Sequence, residues 1–294
     1  MDTTVDEFVE HLRAERGLSA NTLLAYRSDL AQFRQYLGPR QGNVWAVPPV
    51  VVRGFVTQLV QREYAPSSQA RKLAAVKSLY RYLLSRGAVT SDPTAGLGGA
   101  RVTKRRPYVL SRAQVERLLA ESARDFTPEY LRDRAMLEAL YATGMRVSEL
   151  VALDLDDVDG DSQTIMLGHN GSSERRVPLR GRALAAVEEY LSSGRPALRS
   201  EAREHGLFLN HRGSRLTRQG FWLIVKNHTK RSGIDAPITP HTLRHSFAAH
   251  RLRERGNVRE VQRMMGHASL ATTRIYAEIA GAQADEDGVS TPAA

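Results

Sequence analysis

A histidine and an arginine stand three residues apart in the segment TPHTLRHSFAAH, residues 239–250. The threonine and proline that open this segment predict a helix start, which places His241 and Arg244 on one face of the first turn. Free N–H groups and a partial positive charge also gather there, so the pattern predicts an anion site. His245 and His250 are expected on other faces. The same pattern also occurs where the first turn is only structural.

A phenol and an imidazole follow in MMGHASLATTRIY, residues 264–276. His267 comes directly after a glycine that ends a helix, and Tyr276 lies in the next helical segment, so the two rings are expected to be neighbours. Taken alone, such a tyrosine is usually a half-buried packing residue and such a histidine a surface cap. Next to the first motif, Tyr276 becomes a candidate nucleophile.

A second arginine follows a glycine in ATGMRVSEL, residues 142–150. Arg146 could cap helix carbonyls or pair with Glu149 one turn further on. Together the three segments supply two guanidinium groups, two imidazoles and one phenol. This set can neutralise and attack a phosphate without a metal, so the sequence predicts phosphoryl transfer with no cofactor.

The composition favours a polyanionic partner. The 294 residues include 42 Lys and Arg against 32 Asp and Glu, a net charge of +10, and nucleic acid is expected ahead of an anionic membrane. The absence of cysteine excludes a disulfide-stapled domain and a thiolate nucleophile. No apolar stretch approaches the roughly 20 residues that span a bilayer, and no signal-peptide core is present, so a soluble cytoplasmic protein is predicted.

Two domains joined by a basic linker are predicted. Apolar residues recur at helical spacing over 5–86, with Gly38 and Gly87 as helix ends and Ser67 or Ser68 as a cap. Between 90 and 107 this periodicity gives way to Ser, Asp, Pro and Gly followed by a basic run.

The second half is predicted to mix helices with one hairpin. Ser111 and Gln114 form a capping-box pair, and two short apolar runs flank a polar segment within residues 163–179. Further helices are expected at about 182–193, 217–230, 240–255 and 258–265. From about Gly281 the chain has no apolar periodicity and is expected to be disordered.

The motifs ATGMRVSEL, HTLRHSFAAH and GHASLATTRIY, in this order, resemble those of tyrosine recombinases, especially the bacterial Xer type. The resemblance implies a mainly α fold with a small antiparallel β-sheet, arranged as a two-domain clamp. The implied domains are a helical, SAM-like core-binding domain at 1–90, a basic linker at 91–106, an α+β catalytic domain at 107–280 and the tail at 281–294.

The resemblance also implies a site-specific recombinase that cuts and rejoins DNA. Tyr276 would form a 3′-phosphotyrosine, while Arg146 and Arg244 neutralise the nonbridging oxygens. His241 would assist proton transfer from the tyrosine, and His267 would hydrogen-bond the phosphate. Because the bond energy is stored covalently, neither ATP nor a metal is expected.

The hairpin departs from the family pattern. Members usually carry a lysine there that protonates the leaving 5′-oxygen, but LGHNGSSERRVPL, residues 167–179, contains none. Asn170 or His169 lies nearest the lysine position. An imidazolium at His169 could donate the proton, although a solvent-exposed turn histidine without a catalytic role is the favoured interpretation.

Basic side chains outside the motifs are candidate DNA contacts. The cations of the second N-terminal helical region are expected on faces away from its apolar stripe, and a basic linker could follow a DNA backbone. The candidates are Arg71, Lys72, Lys77, Arg105 and Arg106. A solvated helix face and a solvated spacer explain the same residues.

Three other interpretations remain open. One is a catalytically weakened DNA-binding accessory subunit, and another is a type IB topoisomerase with related chemistry. A zinc site built from His241, His245, His250 and His267 lacks a supporting carboxylate motif. The family implies a double-stranded recombination site as partner and a homo- or heterotetramer on two such sites, for chromosome dimer resolution or mobile-element integration and excision, with neither membrane nor small-molecule substrate.

Overall fold

The computed structural model describes residues 3–18, 20–39, 42–98, 106–168, 174–199 and 204–286. The chain divides into two compact units, Met1–Arg105 and Arg106–Ala294, and each has its own hydrophobic core. The expected class, mainly helical with one small antiparallel sheet, is confirmed. In the described residues no helix has both the length and the apolarity of a membrane span.

The described residues of the first unit form four helices around an aromatic core. They are α1 (Thr3–Arg16), α2 (Ala20–Leu37), α3 (Pro49–Gln61) and α4 (Pro66–Ser85). Phe33 packs edge-on against Phe55, with 4.9 Å between ring centroids, and against Tyr80. The Tyr80 hydroxyl donates to the Trp45 carbonyl, so its one polar atom is satisfied inside the core.

The sequence predicts that the cations of α4 face away from its apolar stripe, but not all of them face solvent. Lys72 is buried, and its ammonium lies 2.9 Å from the carboxylate of the buried Asp29 on α2. Arg71 is more exposed and binds the second oxygen of Asp29 at 2.6 Å. Lys77 is half-buried and donates to the Leu97 carbonyl. The expectation of a solvent-facing Lys72 is therefore wrong, and it is withdrawn as a DNA contact.

The start of α4 also differs from the prediction. The residue before the helix is Ala65, and Pro66 takes the first helical position without a side-chain cap. Neither Ser67 nor Ser68 occupies the capping position, so that expectation is wrong. Proline at this position needs no cap on its own nitrogen, because it has no N–H to satisfy.

The second unit surrounds the central helix α6 with helices and one sheet. Its elements are α5 (Arg112–Ser122), α6 (Pro128–Thr143), α7 (Val147–Ala152), a 3-10 turn (Leu155–Asp157), β1 (Val158–Asp159), β2 (Thr164–Leu167), β3 (Arg175–Pro178), α8 (Arg182–Glu189), which continues through a π turn into α9 (Arg195–Leu198), α10 (Arg218–Arg231), α11 (Pro240–Arg255), α12 (Val258–Met265) and α13 (Leu270–Glu286). The predicted capping box of Ser111 and Gln114 is confirmed.

The sheet is antiparallel, in the order β1-β2-β3. Ile165 pairs with Val177 across β2 and β3, and both side chains are buried, so the predicted hairpin is confirmed. The short β1 was not predicted. Residues 169–173, including His169 and Asn170, lie outside the described residues.

Helix α11 lies between α6 and α13 and brings the sequence motifs into one unit. It begins at Pro240 behind the Thr239 cap and ends at Gly256, as predicted. Helix α13 continues to Glu286, so the expectation of disorder from Gly281 is wrong for its first residues. The rest of the predicted tail lies outside the described residues.

Candidate active site

Arg146 lies where α6 ends and α7 begins. Gly144 ends α6 in the left-handed conformation, and Arg146 occupies the position before α7. Glu149, one turn later, accepts the Arg146 backbone N–H at 2.6 Å and its side-chain N–H at 3.0 Å. Arg146 also donates to the Gly266 carbonyl at 2.5 Å. The guanidinium is thus fixed from two sides while 39% of the side chain stays exposed.

Arg175, the first residue of β3, is a functional candidate that the sequence analysis missed. Its two terminal nitrogens donate to the two oxygens of Glu149 at 2.7 and 2.9 Å, a bidentate pair with fixed geometry. Its third nitrogen donates to the Met264 carbonyl. Burial by itself raises the pKa of Glu149, but hydrogen bonds from Arg175 and the backbone of Arg146 bring that pKa below its usual value.

Arg244 extends from α11 toward the ends of two other helices. Its guanidinium donates to the Gly144 carbonyl and, at 2.6 Å, to the Met265 carbonyl. The side chain is buried, and burial together with the charge of Arg146 lowers its pKa to about 10. Arg244 therefore remains charged at neutral pH.

Two glycines allow these close approaches. A Cβ on Gly144 would lie 2.1 Å from a ring carbon of Phe247, and the φ of Gly144 is +62°. A Cβ on Gly266 would lie 2.9 Å from the Arg175 guanidinium, at a φ of +61°. Both positions require the left-handed backbone and the missing side chain of glycine.

His267 follows Gly266 at the end of α12, as predicted. Its Nδ1 lies 2.9 Å from the Thr273 hydroxyl, which orients the ring. Burial, followed by the charges of Arg244 and Arg146, lowers the pKa of His267 to about 4. The imidazole is therefore neutral at pH 7, and it can donate one N–H to a phosphate oxygen.

Tyr276 lies in the second turn of α13 and is 5% exposed. Its ring stacks against that of His267, with 6.1 Å between centroids. Its hydroxyl lies 2.7 Å from Nδ1 of His245. The expectation that His245 faces elsewhere is therefore wrong, because α13 packs against the side of α11 on which this histidine lies.

His241 is exposed on the first turn of α11, where it lines a surface cleft with Val147 and Trp222. Its ring centre is 6.5 Å from that of His245. His250 is buried and hydrogen-bonds Tyr141 instead. Within the described residues no three acidic or histidine side chains are grouped to bind a metal ion.

The site keeps an excess of positive charge. Three arginines surround one carboxylate, and the remaining partners are main-chain carbonyls, which position a guanidinium without cancelling its charge. A neighbouring surface cleft is lined by Arg175 together with two further cations, one carboxylate and the end of α12: Arg176, Arg263, Glu260, Gly266 and His267. The arrangement is suited to a phosphodiester.

Comparison with protein-family models identifies both units. Residues 108–282 match the phage integrase family, and residues 5–87 match the phage integrase N-terminal SAM-like domain. The chain belongs to the phage integrase family. It is a site-specific DNA recombinase of the tyrosine type.

Relatives of similar length support this assignment. Tyrosine recombinase XerC of Herpetosiphon aurantiacus is 45% identical over 97% of this chain and 93% of its own. Tyrosine recombinase XerD of Listeria innocua is 42% identical over 95% of each chain. These relatives favour the recombinase over the topoisomerase and accessory-subunit alternatives.

Solved structures share the fold. The XerH recombinase bound to palindromic difH substrate aligns with a TM-score of 0.77 at 21% identity, covering 97% of this chain and 84% of that one. A lambda integrase dimer bound to a COC' core site aligns with a TM-score of 0.72 at 19% identity, covering 94% of each chain.

Proposed function

We propose that Tyr276 attacks a DNA phosphate, forming a 3′-phosphotyrosine and releasing a 5′-hydroxyl end. The observation that carries the proposal is the convergence of separate sequence segments: Arg244 binds the carbonyls of Gly144 and Met265, and His267, two residues after Met265, packs against Tyr276. Nucleophile and cationic groups therefore lie around one surface. A phenol with an ordinary pKa near 10 needs such groups to react at neutral pH.

Arg146 and Arg244 bind the nonbridging oxygens of the phosphate. Both are held by main-chain carbonyls, so little reorganisation is needed when charge accumulates on those oxygens in the transition state. Arg175 positions Arg146 by sharing the carboxylate of Glu149.

The two histidines of the predicted set contact the phosphate. His267 is neutral and oriented by Thr273, so it donates one hydrogen bond. His241 lies on the first turn of α11, where main-chain N–H groups and its own ring can meet an anion. Its expected role as the partner of the Tyr276 proton is not favoured, because that hydroxyl contacts His245.

The hairpin loop supplies the proton for the leaving 5′-oxygen. His169 is the candidate acid, and Asn170 is the other position near the expected lysine. In a cleavage assay, His169→Ala should react more slowly than wild type on an ordinary substrate. The defect should disappear when sulfur replaces the leaving oxygen, since a thiolate leaves without an acid. Full activity of His169→Ala on the ordinary substrate contradicts this role.

Outside the active site, four of the candidate DNA contacts remain. Lys77 is half-buried and donates to the Leu97 carbonyl. Arg71 is exposed although it is paired with Asp29, Arg106 is exposed at the start of the second unit, and Arg105 lies outside the described residues. They are proposed to contact the DNA backbone. Each substitution to glutamine should weaken binding to all sequences alike and reduce the salt dependence of binding.

The recombinase is proposed to act as a tetramer on two recombination sites, either alone or with a second recombinase. The similarity to XerC and XerD tyrosine recombinases over nearly the whole chain supports a DNA recombination site as the partner, for chromosome dimer resolution or for mobile-element integration and excision. Mass measurement of complexes on a single site and on a paired-site substrate tests the assembly. Dimers that never pair contradict it.

The nucleophile is tested with nicked suicide substrates that carry candidate sites. Wild type should yield a protein–DNA adduct that survives denaturation, and Tyr276→Phe should yield none while binding the same DNA. An adduct in the mutant contradicts the assignment. DNA binding without any adduct in wild type, including with a partner recombinase, would favour an accessory role.

A further inference from the structure

The hydroxyl of Tyr276 has a defined partner that the motif-based set leaves out. His245 Nδ1 lies 2.7 Å from it, and the two rings are tilted at 32° with 5.5 Å between centroids. Both side chains belong to packed helices, α11 and α13, so the contact is set by the fold and not by a loop. We propose that His245 accepts the proton of Tyr276 as the tyrosine attacks the phosphate, an inference that rests on Tyr276 being the nucleophile.

The surroundings of His245 fix its protonation state. On its own helix it faces His241 and Arg244, and from the neighbouring segments it faces Tyr276 and His267. Burial, then His241 and Arg244, lowers the pKa of His245 to about 4. The ring is therefore neutral at pH 7, and with its proton on Nε2 it presents Nδ1 as an acceptor to the phenol.

A bound DNA phosphate changes this balance in the direction that the reaction needs. Its negative charge, placed between Arg244 and His267, offsets the cations that depress the basicity of His245. Burial raises the pKa of Tyr276, so free tyrosinate is scarce and an adjacent base is required. His245 is thus a weak base in the free enzyme and a stronger one on the substrate.

Attack of Tyr276 on the phosphate requires no reactant other than the enzyme, the DNA and water. The bond between Tyr276 Oη and phosphorus forms, the phenolic proton moves to His245 Nδ1, and the bond from phosphorus to the 5′-oxygen breaks. The 5′-oxygen leaves with the bonding pair and takes a proton from the hairpin acid or from water. On rejoining, the 5′-hydroxyl attacks phosphorus and gives its proton back to the hairpin group or to water, while the bond from phosphorus to Tyr276 Oη breaks and His245 returns the proton to the departing tyrosine.

His245→Asn separates proton acceptance from mere positioning. The asparagine carboxamide oxygen occupies the place of Nδ1, three bonds from Cα, so it still accepts a hydrogen bond but cannot take the proton. His245→Ala removes both functions. Melting temperature and DNA binding are measured first for each variant, and the rate of adduct formation is then followed from about pH 6 to 9 on a suicide substrate.

The expected result is a loss of roughly 100-fold or more for both variants at pH 7. Their rates should rise about tenfold per pH unit, as tyrosinate becomes available, while the wild-type rate stays nearly flat. A substrate with sulfur as the leaving atom should not restore either variant, since the defect is on the nucleophile. Rescue by sulfur would assign His245 to the leaving group and overturn the proposal.

Two further outcomes also overturn it. His245→Asn reacting at the wild-type rate with the wild-type pH profile, while His245→Ala is slow, would make His245 a positioning residue only. Wild-type rates in both variants would leave it without a role. Neither outcome touches the proposed nucleophile, because that is tested separately by adduct formation in wild type and in Tyr276→Phe.

Discussion

Buried cations occur in both units of the recombinase, but their partners differ. In the first unit Lys72 meets the carboxylate of Asp29, and both side chains are buried. In the second unit Arg244 is equally buried, yet it meets main-chain carbonyls. A carboxylate cancels the charge that it binds, whereas a carbonyl dipole only orients it. The first arrangement stabilises a core, and the second keeps a positive charge available for a substrate.

Glu149 marks the limit of this contrast. The site arginines Arg146 and Arg175 share it, just as Lys72 and Arg71 share Asp29, and one negative charge cannot neutralise two cations. The second unit differs because Arg244 is a further buried cation whose hydrogen-bond partners are main-chain carbonyls. Arg146, Arg175 and Arg244 together leave the site cationic. Burial of a cation is therefore informative about function only when its hydrogen-bond and ion-pair partners are known.

The largest expected change in stability comes from breaking the buried ion pair of Lys72 and Asp29. Lys72→Met should lower the free energy of unfolding by about 3 kcal/mol, because it leaves the buried Asp29 carboxylate with only the more exposed Arg71 as an ion-pair partner. Urea unfolding measures this. The double variant Asp29→Leu, Lys72→Met should recover most of the loss, and folded Lys72→Met should cleave DNA at the wild-type rate. A cleavage defect in the folded variant would contradict the conclusion that Lys72 serves only to stabilise the core.

Arg244→Lys should show the opposite pattern. Lysine keeps the charge, but it lacks the planar guanidinium with which Arg244 can bind two carbonyls and a phosphate together. The rate of cleavage should therefore fall by about 10²–10³-fold. Adduct formation under single-turnover conditions measures this loss, with DNA binding as the control. If the variant loses stability but cleaves normally once folded, Arg244 belongs with Lys72 as a core residue.

Two glycine substitutions separate the cost of a strained backbone from the loss of an active-site contact. Gly38 and Gly144 both end helices at positive φ, but a Cβ on Gly38 meets nothing within 4 Å. Gly38→Ala should therefore cost only the left-handed conformation, roughly 1 kcal/mol, without affecting cleavage. Gly144→Ala should cost more, because it also displaces Phe247, and it should reduce cleavage because the Gly144 carbonyl binds Arg244. Equal losses would contradict this account.

The last prediction concerns how the free energy of unfolding depends on pH. The folded pKa of His267 is about 4, below the unfolded value near 6.5, so the unfolded chain binds the proton first. The contribution of neutral His267 to the free energy of unfolding is complete above about pH 6.5 and is lost as the pH falls toward 4. His267→Asn keeps an acceptor for Thr273 without titrating, so its free energy of unfolding should fall less over this range. If the free energy of unfolding falls equally in wild type and His267→Asn as the pH is lowered, titration of His267 does not contribute to the loss.

Much of the fold could be predicted because its signals are local. The cap of Thr239 before Pro240 and the Gly256 end define α11 within one stretch of sequence, and Ser111 with Gln114 does the same for α5. The main catalytic candidates were recognised because their motifs are short and ordered. The two-residue β1 has too little sequence for any periodic pattern.

What could not be predicted depends on neighbours that are distant in sequence. Lys72 is buried because Asp29, on another helix, lies beneath it, and no pattern within α4 reveals that. Arg175 is recognisable only once its bidentate partner Glu149 is seen across the unit. His245 is four residues after His241 and so shares its side of the helix, which was a usable signal, but only the position of α13 shows that Tyr276 meets it.

The most direct test of the account is to identify the amino acid joined to DNA. The adduct trapped on a suicide substrate is digested with protease and nuclease, and the peptide that retains a nucleotide is sequenced by mass spectrometry. The account predicts a single modified site, Tyr276, linked to a 3′-phosphate. A modified residue other than Tyr276, or a 5′-phosphate linkage, would contradict it.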